Sequence, residues 1–254
     1  MLEPGVQITT LKCGIVMPAI LYQTYMTLGT FFCVTISSMK LHGTYAYDEA
    51  FAATIATALN ASYSDKASGH GYDKVFAHLF EGKTVSNFLE IGLFLNELQH
   101  TDLNAWASVF PSANIYGGDK KESQLFNSGN ISMHVVDQEV PASFGALKAE
   151  FDVEFDVVLD DSSHIYANTI ATFEALFSAV KTGGMYLIED IQDTGEGAND
   201  WQQTLAQLEA YMTAEGYTYE VFQALVPGKV IEIETQEPTD IDRVSDSYIL
   251  CVYK

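Results

Sequence analysis

The chain has 254 residues with 34 acidic against 12 basic side chains, a formal net charge of −22, and Arg243 as its single arginine. Phosphate backbones are neutralised by clustered Lys and Arg, so this composition argues against nucleic acid as a partner. The length suffices for one full α/β core plus a short appendage, and Cys13, Cys33 and Cys251 are too scattered for a disulfide framework or a zinc site.

The acid excess reads as a solvated, self-repelling surface, with an acidic docking surface as the alternative. Residues 13–39 contain no charge and are bracketed by Lys12 and Lys40. Their length would span a bilayer, but Pro18, Gln23, four threonines and two serines dilute the apolar content. Three readings stay open: a weak membrane anchor, a pair of buried elements, or an extension upstream of a start at Met39. Residues 1–44 are therefore set apart as an N-terminal extension, expected to be helical, from a domain at 45–254. A cytoplasmic location and a homo-oligomer are both compatible with this reading.

Apolar residues at helical spacing predict a helix from Tyr45 to Leu59, and a second from Tyr72 to Phe80. The polar stretch from Ala61 to Gly71 between them reads as a loop. From residue 85 strands and helices alternate, which predicts a doubly wound, mostly parallel sheet. Strands are expected at Asn87 to Ile91, Asn114 to Tyr116, Ile131 to Val136, Val157 to Leu159 and Met185 to Ile188. Helices are expected at Leu103 to Phe110, Ala142 to Ala149, between the last two of these strands up to Gly183-Gly184, and from Trp201 to Glu215. Tyr219 to Ala224, Val230 to Ile233 and Tyr248 to Tyr253 read as closing strands. The fold class is a Rossmann-like α/β sheet of about seven strands, with an antiparallel closing strand.

In such a sheet ligands gather at the carboxyl ends of the strands. Glu90 and Gly92 end the first strand, and the glycine allows a tight turn beside a nucleoside or carboxylate. No further glycine follows from Leu93 to Leu98, which argues against a dinucleotide fingerprint and hence against NAD or FAD. Asp119 ends the second strand, where an acid accepts ribose hydroxyls, and Asp137-Gln138 follow the third, within reach of an adenine amino group. The segment Asp160-Asp161-Ser162-Ser163-His164 and the pair Glu189-Asp190 end the next two strands. Asp161, Glu189 and Asp190 are hard oxygen donors suited to Mg²⁺. A cation there lowers the pKa of a substrate hydroxyl, and His164 is placed to take its proton.

Taken with Ser64-Asp65-Lys66 and His70-Gly71-Tyr72 upstream, this ordered set resembles class I S-adenosylmethionine-dependent methyltransferases. Among these it is most similar to the metal-dependent macrolide and sugar O-methyltransferases and to the cephalosporin hydroxylase-like group. The resemblance runs from about Tyr63 to Asp190, with the last strand also fitting. It implies S-adenosylmethionine and Mg²⁺ as cofactors and a hydroxyl of a sugar or glycosylated small molecule as acceptor. By the same resemblance Glu90 and Gly92 flank the methionine moiety, Asp119 the ribose, and Asp137 with Gln138 the adenine. Asp161, Glu189 and Asp190 correspond to metal ligands and His164 to the base. Asp65, Lys66, His70 and Tyr72 belong to a motif lying over the cofactor.

The chain departs from the family in two places that bear on activity. Leu95-Asn96 stands where relatives have a glycine pair, and Ser162 replaces a glycine, a costly exchange if that position requires positive φ. The loop from Gln192 to Gly197 replaces an aromatic-rich substrate loop. Two alternatives stay open: an iron-dependent hydroxylase-like enzyme that uses the same acid cluster, and, favoured by the altered glycine loop and Ser162, a non-catalytic binding protein that retains the fold.

Overall fold

A computed structural model describes residues 39–40, 45–93, 101–120, 127–192, 202–224 and 248–254. The stretch 13–38, the glycine-loop substitutions at Leu95-Asn96, the expected strand at Val230 to Ile233 and most of the 192–197 loop lie outside these residues. Among the described residues no helix is long and apolar enough to cross a membrane.

Among the described residues three helices precede the alternating part: α1 (Glu49–Ala61), α2 (Asp65–Ser68) and α3 (Asp73–Phe80). The first begins later than its periodicity suggests, because Asp48 caps it by accepting the N–H groups of Ala50 and Phe51. The stretch expected to be a loop contains α2, capped by the Ser64 hydroxyl. Its four residues are too few to show a helical period, and Gly and Ser mask it.

The alternating part follows as β2 (Asn87–Ile91), α4 (Thr101–Val109), β3 (Asn114–Asp119), β4 (Ile131–Val135), α5 (Ser143–Phe151), β5 (Phe155–Asp160), α6 (Tyr166–Leu176), β6 (Val180–Ile191), α7 (Leu205–Ala214), β7 (Thr218–Gln223) and β8 (Tyr248–Tyr253). A two-residue strand, β1 (Met39–Lys40), pairs parallel with β7 at the edge. The sheet order is β1-β7-β8-β6-β5-β2-β3-β4. Among the described strands only β8 runs against the others, inserted between β6 and β7. Gly183 and Gly184, expected to separate helix from strand, lie inside β6, where the register with β5 shifts. At Gly184 a Cβ would come within 2.8 Å of the Asp156 carbonyl oxygen, so a bulge and close backbone approach explain this glycine.

Strand alternation divides the core between the two faces. Val157, Leu159, Met185 and Leu187 pack with α1, α3 and α4, while Val158, Tyr186 and Ile188 pack with α5, α6 and α7. On the first face Phe76, Phe80, Phe88, Trp106 and Phe110 interlock, with the Phe88 and Trp106 rings stacked at 4.9 Å. Register then aligns the strand ends. Ile91 pairs with Gly118 and with Asp160, and Asp160 pairs with Ile188. The next residue on each strand, Gly92, Asp119, Asp161 and Glu189, therefore lies along one edge.

Candidate active site

That edge opens into a cavity of about 610 Å³, within the usual range for a small-molecule site. Gly92, Asp119, Asp137 and Gln138 line one part of it, and Asp161, His164 and Asp190 line another. Asp65 and His70 contribute from the N-terminal motif. Glu90, Lys66, Tyr72 and Glu189 do not reach the cavity wall. They form a buried layer behind it.

The centre of that layer is Lys66, 1% exposed. Its ammonium donates to Asp161 and Glu189 and lies 3.3 Å from Glu90 Oε1 and 3.7 Å from Asp102 Oδ2. Burial opposes the charge on Lys66, but Asp161, Glu189, Glu90 and Asp102 outweigh it and hold the ammonium well above its ordinary value. One cation among four buried carboxylates leaves excess negative charge. Burial accordingly raises Glu90 and Glu189 well above the usual carboxylate range, and raises Asp102 and Asp161 as well. Glu90 is fixed from below, since Trp106 Nε1–H donates to its Oε2 at 2.9 Å.

Asp102 and Trp106 carry this network and are absent from the motif reading. The available signal was an acid sharing a helix face with Ala105 and Trp106, at i, i+3 and i+4. Gln203 is the other missed member. Its Nε2–H donates to the Glu189 carbonyl at 2.9 Å and its backbone N–H to the His164 carbonyl at 2.7 Å, joining the loops that follow β5 and β6. No local pattern marks it.

His164 and Asp190 both adopt left-handed backbone, at φ 54° and 51°. His164 Nε2 lies 3.7 Å from Asp161 Oδ1 and 3.7 Å from Asp190 Oδ2. Tyr72 O–H donates to Asp190 Oδ1 at 2.8 Å, His70 lies 3.5 Å from the same oxygen, and the His70 and Tyr72 rings stack at 5.2 Å. Strained backbone at two residues that face each other concentrates where chemistry is expected.

The concern over Ser162 does not hold. The left-handed non-glycine residues among those described are Tyr63, Asp152, His164 and Asp190, so Ser162 bears no such strain. Its hydroxyl instead donates to Asp160. Asp160 also accepts from Tyr186 O–H at 3.0 Å and Gln138 Nε2–H at 3.2 Å, and burial pushes its carboxyl up to about 6. Asp160 is therefore part of the wall, and Gln138 with it. The Gln138 amide also donates to Thr172 and accepts the Ser163 N–H.

Gly92 has φ +89°, and a Cβ there would fall 2.1 Å from the Asp161 carbonyl oxygen. The close neighbour that demands glycine is thus the loop after β5. Gly92→Ala is expected to cost about 3 kcal/mol or more, from strain plus overlap, read as a lower urea midpoint with unchanged m-value. Asp119 Oδ2 accepts the Leu93 N–H at 3.1 Å, which orients its carboxylate along the cavity. Asp137 accepts the Glu139 N–H at 2.9 Å.

The donor chemistry fits a divalent cation. Among the described residues Asp161, His164 and Asp190 each offer an atom within 4.8 Å of the others. Behind them, Glu189 Oε1 is a buried oxygen with no hydrogen-bond partner among the described residues, while its Oε2 is engaged by Lys66. The cavity also fits an elongated nucleoside, since it runs without interruption from Asp137 and Asp119 to His164.

No family model matches the sequence. Two curated relatives are demethylmacrocin O-methyltransferase from Streptomyces fradiae, 36% identical over 108 residues, and 8-demethyl-8-alpha-L-rhamnosyl tetracenomycin-C 2'-O-methyltransferase from Streptomyces olivaceus, 34% identical over 90 residues. These matches cover 41% and 35% of this chain and 27% and 24% of the relatives, so the chain spans about a quarter of their length. Among solved structures, MycE methyltransferase from the mycinamycin biosynthetic pathway, in complex with Mg, SAH and mycinamycin VI, superposes with a TM-score of 0.59. It is 21% identical over 79% of this chain and 54% of that one. The fold is that of the class I methyltransferases. An O-methyltransferase from Bacillus cereus in complex with SAH agrees, with a TM-score of 0.51 at 14% identity over 80% of this chain and 91% of that one.

Proposed function

We propose that residues 45–254 form a methyltransferase domain that transfers a methyl group from S-adenosylmethionine to a hydroxyl of a sugar or glycosylated small molecule. The observation that carries this reading is the single cavity joining a nucleoside-type end, Asp119 and Asp137, to an acid–histidine end, Asp161, His164 and Asp190. The names of the sequence relatives support the acceptor class, since they are O-methyltransferases of demethylmacrocin and of a rhamnosyl tetracenomycin.

Bound S-adenosylmethionine would supply an electrophilic methyl carbon, and a divalent cation would lower the pKa of the acceptor hydroxyl. Asp119 would hold the ribose hydroxyls, with Asp137 at the adenine end. Asp161 and Asp190, with the free oxygen of Glu189, would hold the cation. His164 would take the proton of the acceptor hydroxyl at its Nε2, which lies 3.7 Å from Asp161 Oδ1 and from Asp190 Oδ2. Lys66 keeps the carboxylates together before any cation binds. Tyr72 and His70 fix the Asp190 carboxylate from the side opposite His164. Alignment of oxygen, carbon and sulfur would provide much of the acceleration.

The test is methyl transfer from S-adenosylmethionine to a panel of glycosides, with and without EDTA, beside calorimetry with S-adenosylhomocysteine. Binding of S-adenosylhomocysteine and a loss of turnover in EDTA that Mg²⁺ restores are the expected results. Full activity in chelator would remove the cation from the reading. No S-adenosylhomocysteine binding at high micromolar concentration would remove methyl transfer itself.

A further inference from the structure

We propose that Tyr63 is the acceptor platform of this site, an aromatic ring at the cavity mouth against which the apolar face of the acceptor's sugar ring packs. The proposal rests on the methyl-transfer reading and extends it to a residue that no motif marks.

Tyr63 directly follows the C-cap of α1. Its N–H reaches the Asn60 carbonyl at 3.2 Å, and the Ser64 N–H reaches the Leu59 carbonyl at 3.0 Å. This closure needs a left-handed residue, and glycine or asparagine is the usual occupant. Tyr63 takes it at φ 62°. The other non-glycine residues in that region, among those described, are Asp152, His164 and Asp190, short or polar types that tolerate it better. A tyrosine here opposes stability unless its ring is useful in the folded state. Packing does not supply the use, because the residue is 79% exposed.

The ring's location supplies it. Tyr63 lines the cavity next to Ser64 and Asp65. Among the described residues the other exposed large hydrophobics are Val140, 51% exposed, and Ile165, 40% exposed. Each directly follows a cavity residue, Glu139 and His164. Of these three exposed residues Tyr63 is the one that itself lines the cavity. The backbone that carries Tyr63 is tied to the reaction centre through its neighbours. The Ser64 hydroxyl accepts the Lys66 N–H at 3.3 Å, and Lys66 is anchored among the buried acids.

The chemistry of the pocket selects the occupant. Asp65 lines it two residues from Tyr63, so an anionic acceptor is repelled there, whereas a neutral polyhydroxylated ring donates a hydrogen bond to this carboxylate. A sugar presents hydroxyls at its edge and C–H groups on one face. Acids below and an aromatic ring at the mouth match both.

The experiment is saturation-transfer NMR of methyl α-L-rhamnopyranoside with the protein–S-adenosylhomocysteine complex, for wild type, Tyr63→Phe and Tyr63→Gly, with thermal melts of all three. Wild type and Tyr63→Phe should bind the sugar alike, and Tyr63→Gly about 3–10-fold more weakly. Tyr63→Gly should nevertheless melt about 2–4 °C higher, because glycine relieves the left-handed backbone. S-adenosylhomocysteine affinity should be the same in all three. Undiminished sugar binding by Tyr63→Gly would overturn the platform, as would a wild-type complex that binds catechol but not the rhamnoside. Failure of the wild type to bind S-adenosylhomocysteine would instead overturn the methyl-transfer reading.

Discussion

Replacing Lys66 with methionine is expected to cost about 3–5 kcal/mol of stability, because it removes the one cation from a buried cluster of four acids. Methionine keeps much of the side-chain volume, so lost packing contributes little. The loss should also depend on pH. The ammonium lowers Glu90, Asp161 and Glu189, which burial raises. Without it their folded-state values rise further above the unfolded ones. A carboxyl raised on folding favours the folded state at low pH, and that contribution is lost as pH climbs through the folded value. The deficit of Lys66→Met is therefore larger at pH 8 than at pH 5. Adding Glu189→Gln should restore part of it at pH 8, a coupling that a double-mutant cycle in urea would read. A loss below about 1 kcal/mol at both pH values would place Lys66 outside the cluster.

His164→Asn is expected to reduce kcat by about 10²–10⁴-fold while leaving S-adenosylhomocysteine affinity and the urea midpoint unchanged. Asparagine is chosen because His164 sits at φ 54°, a conformation asparagine accepts more readily than alanine does. The substitution thus removes the proton acceptor without adding backbone strain. The Gln203 N–H bond to the residue-164 carbonyl is kept as well. Unchanged kcat in this variant would show that another group takes the acceptor proton. A fall in S-adenosylhomocysteine affinity of the same size would show that His164 organises the cavity instead.

Much of this architecture was legible before any coordinates. The strands Asn87–Ile91 and Tyr248–Tyr253 have the bounds that their apolar runs predict. The acids were placed by their position alone, since each follows a strand and parallel strands end together. What could not be read was which way each carboxylate turns. Asp161 and Glu189 share a row, but the carboxylate of Asp161 faces the cavity while that of Glu189 lies behind it with Lys66. The short helix at Asp65–Ser68 was hidden for a related reason. Its cap is a single local hydroxyl, and its anchoring lysine is held by acids far along the chain.

The amino-acid sequence by itself determined the order of strands and helices and the set of acids at the sheet edge. Both follow from local periodicity and from the rule that a crossover makes neighbouring strands parallel. Tertiary structure alone decided that the Asp160-to-Asp190 stretch divides into two layers. Asp161, His164 and Asp190 face the cavity, while Asp160 and Glu189 are held behind its wall by Tyr186, Gln138 and Lys66. It also moved the backbone strain from Ser162 to His164 and brought in Asp102, Trp106 and Gln203. The physical reason is the same in each case. A charge or a strained residue is tolerated in a dry site only when groups distant in sequence converge on it, and pairwise convergence leaves no trace in local pattern.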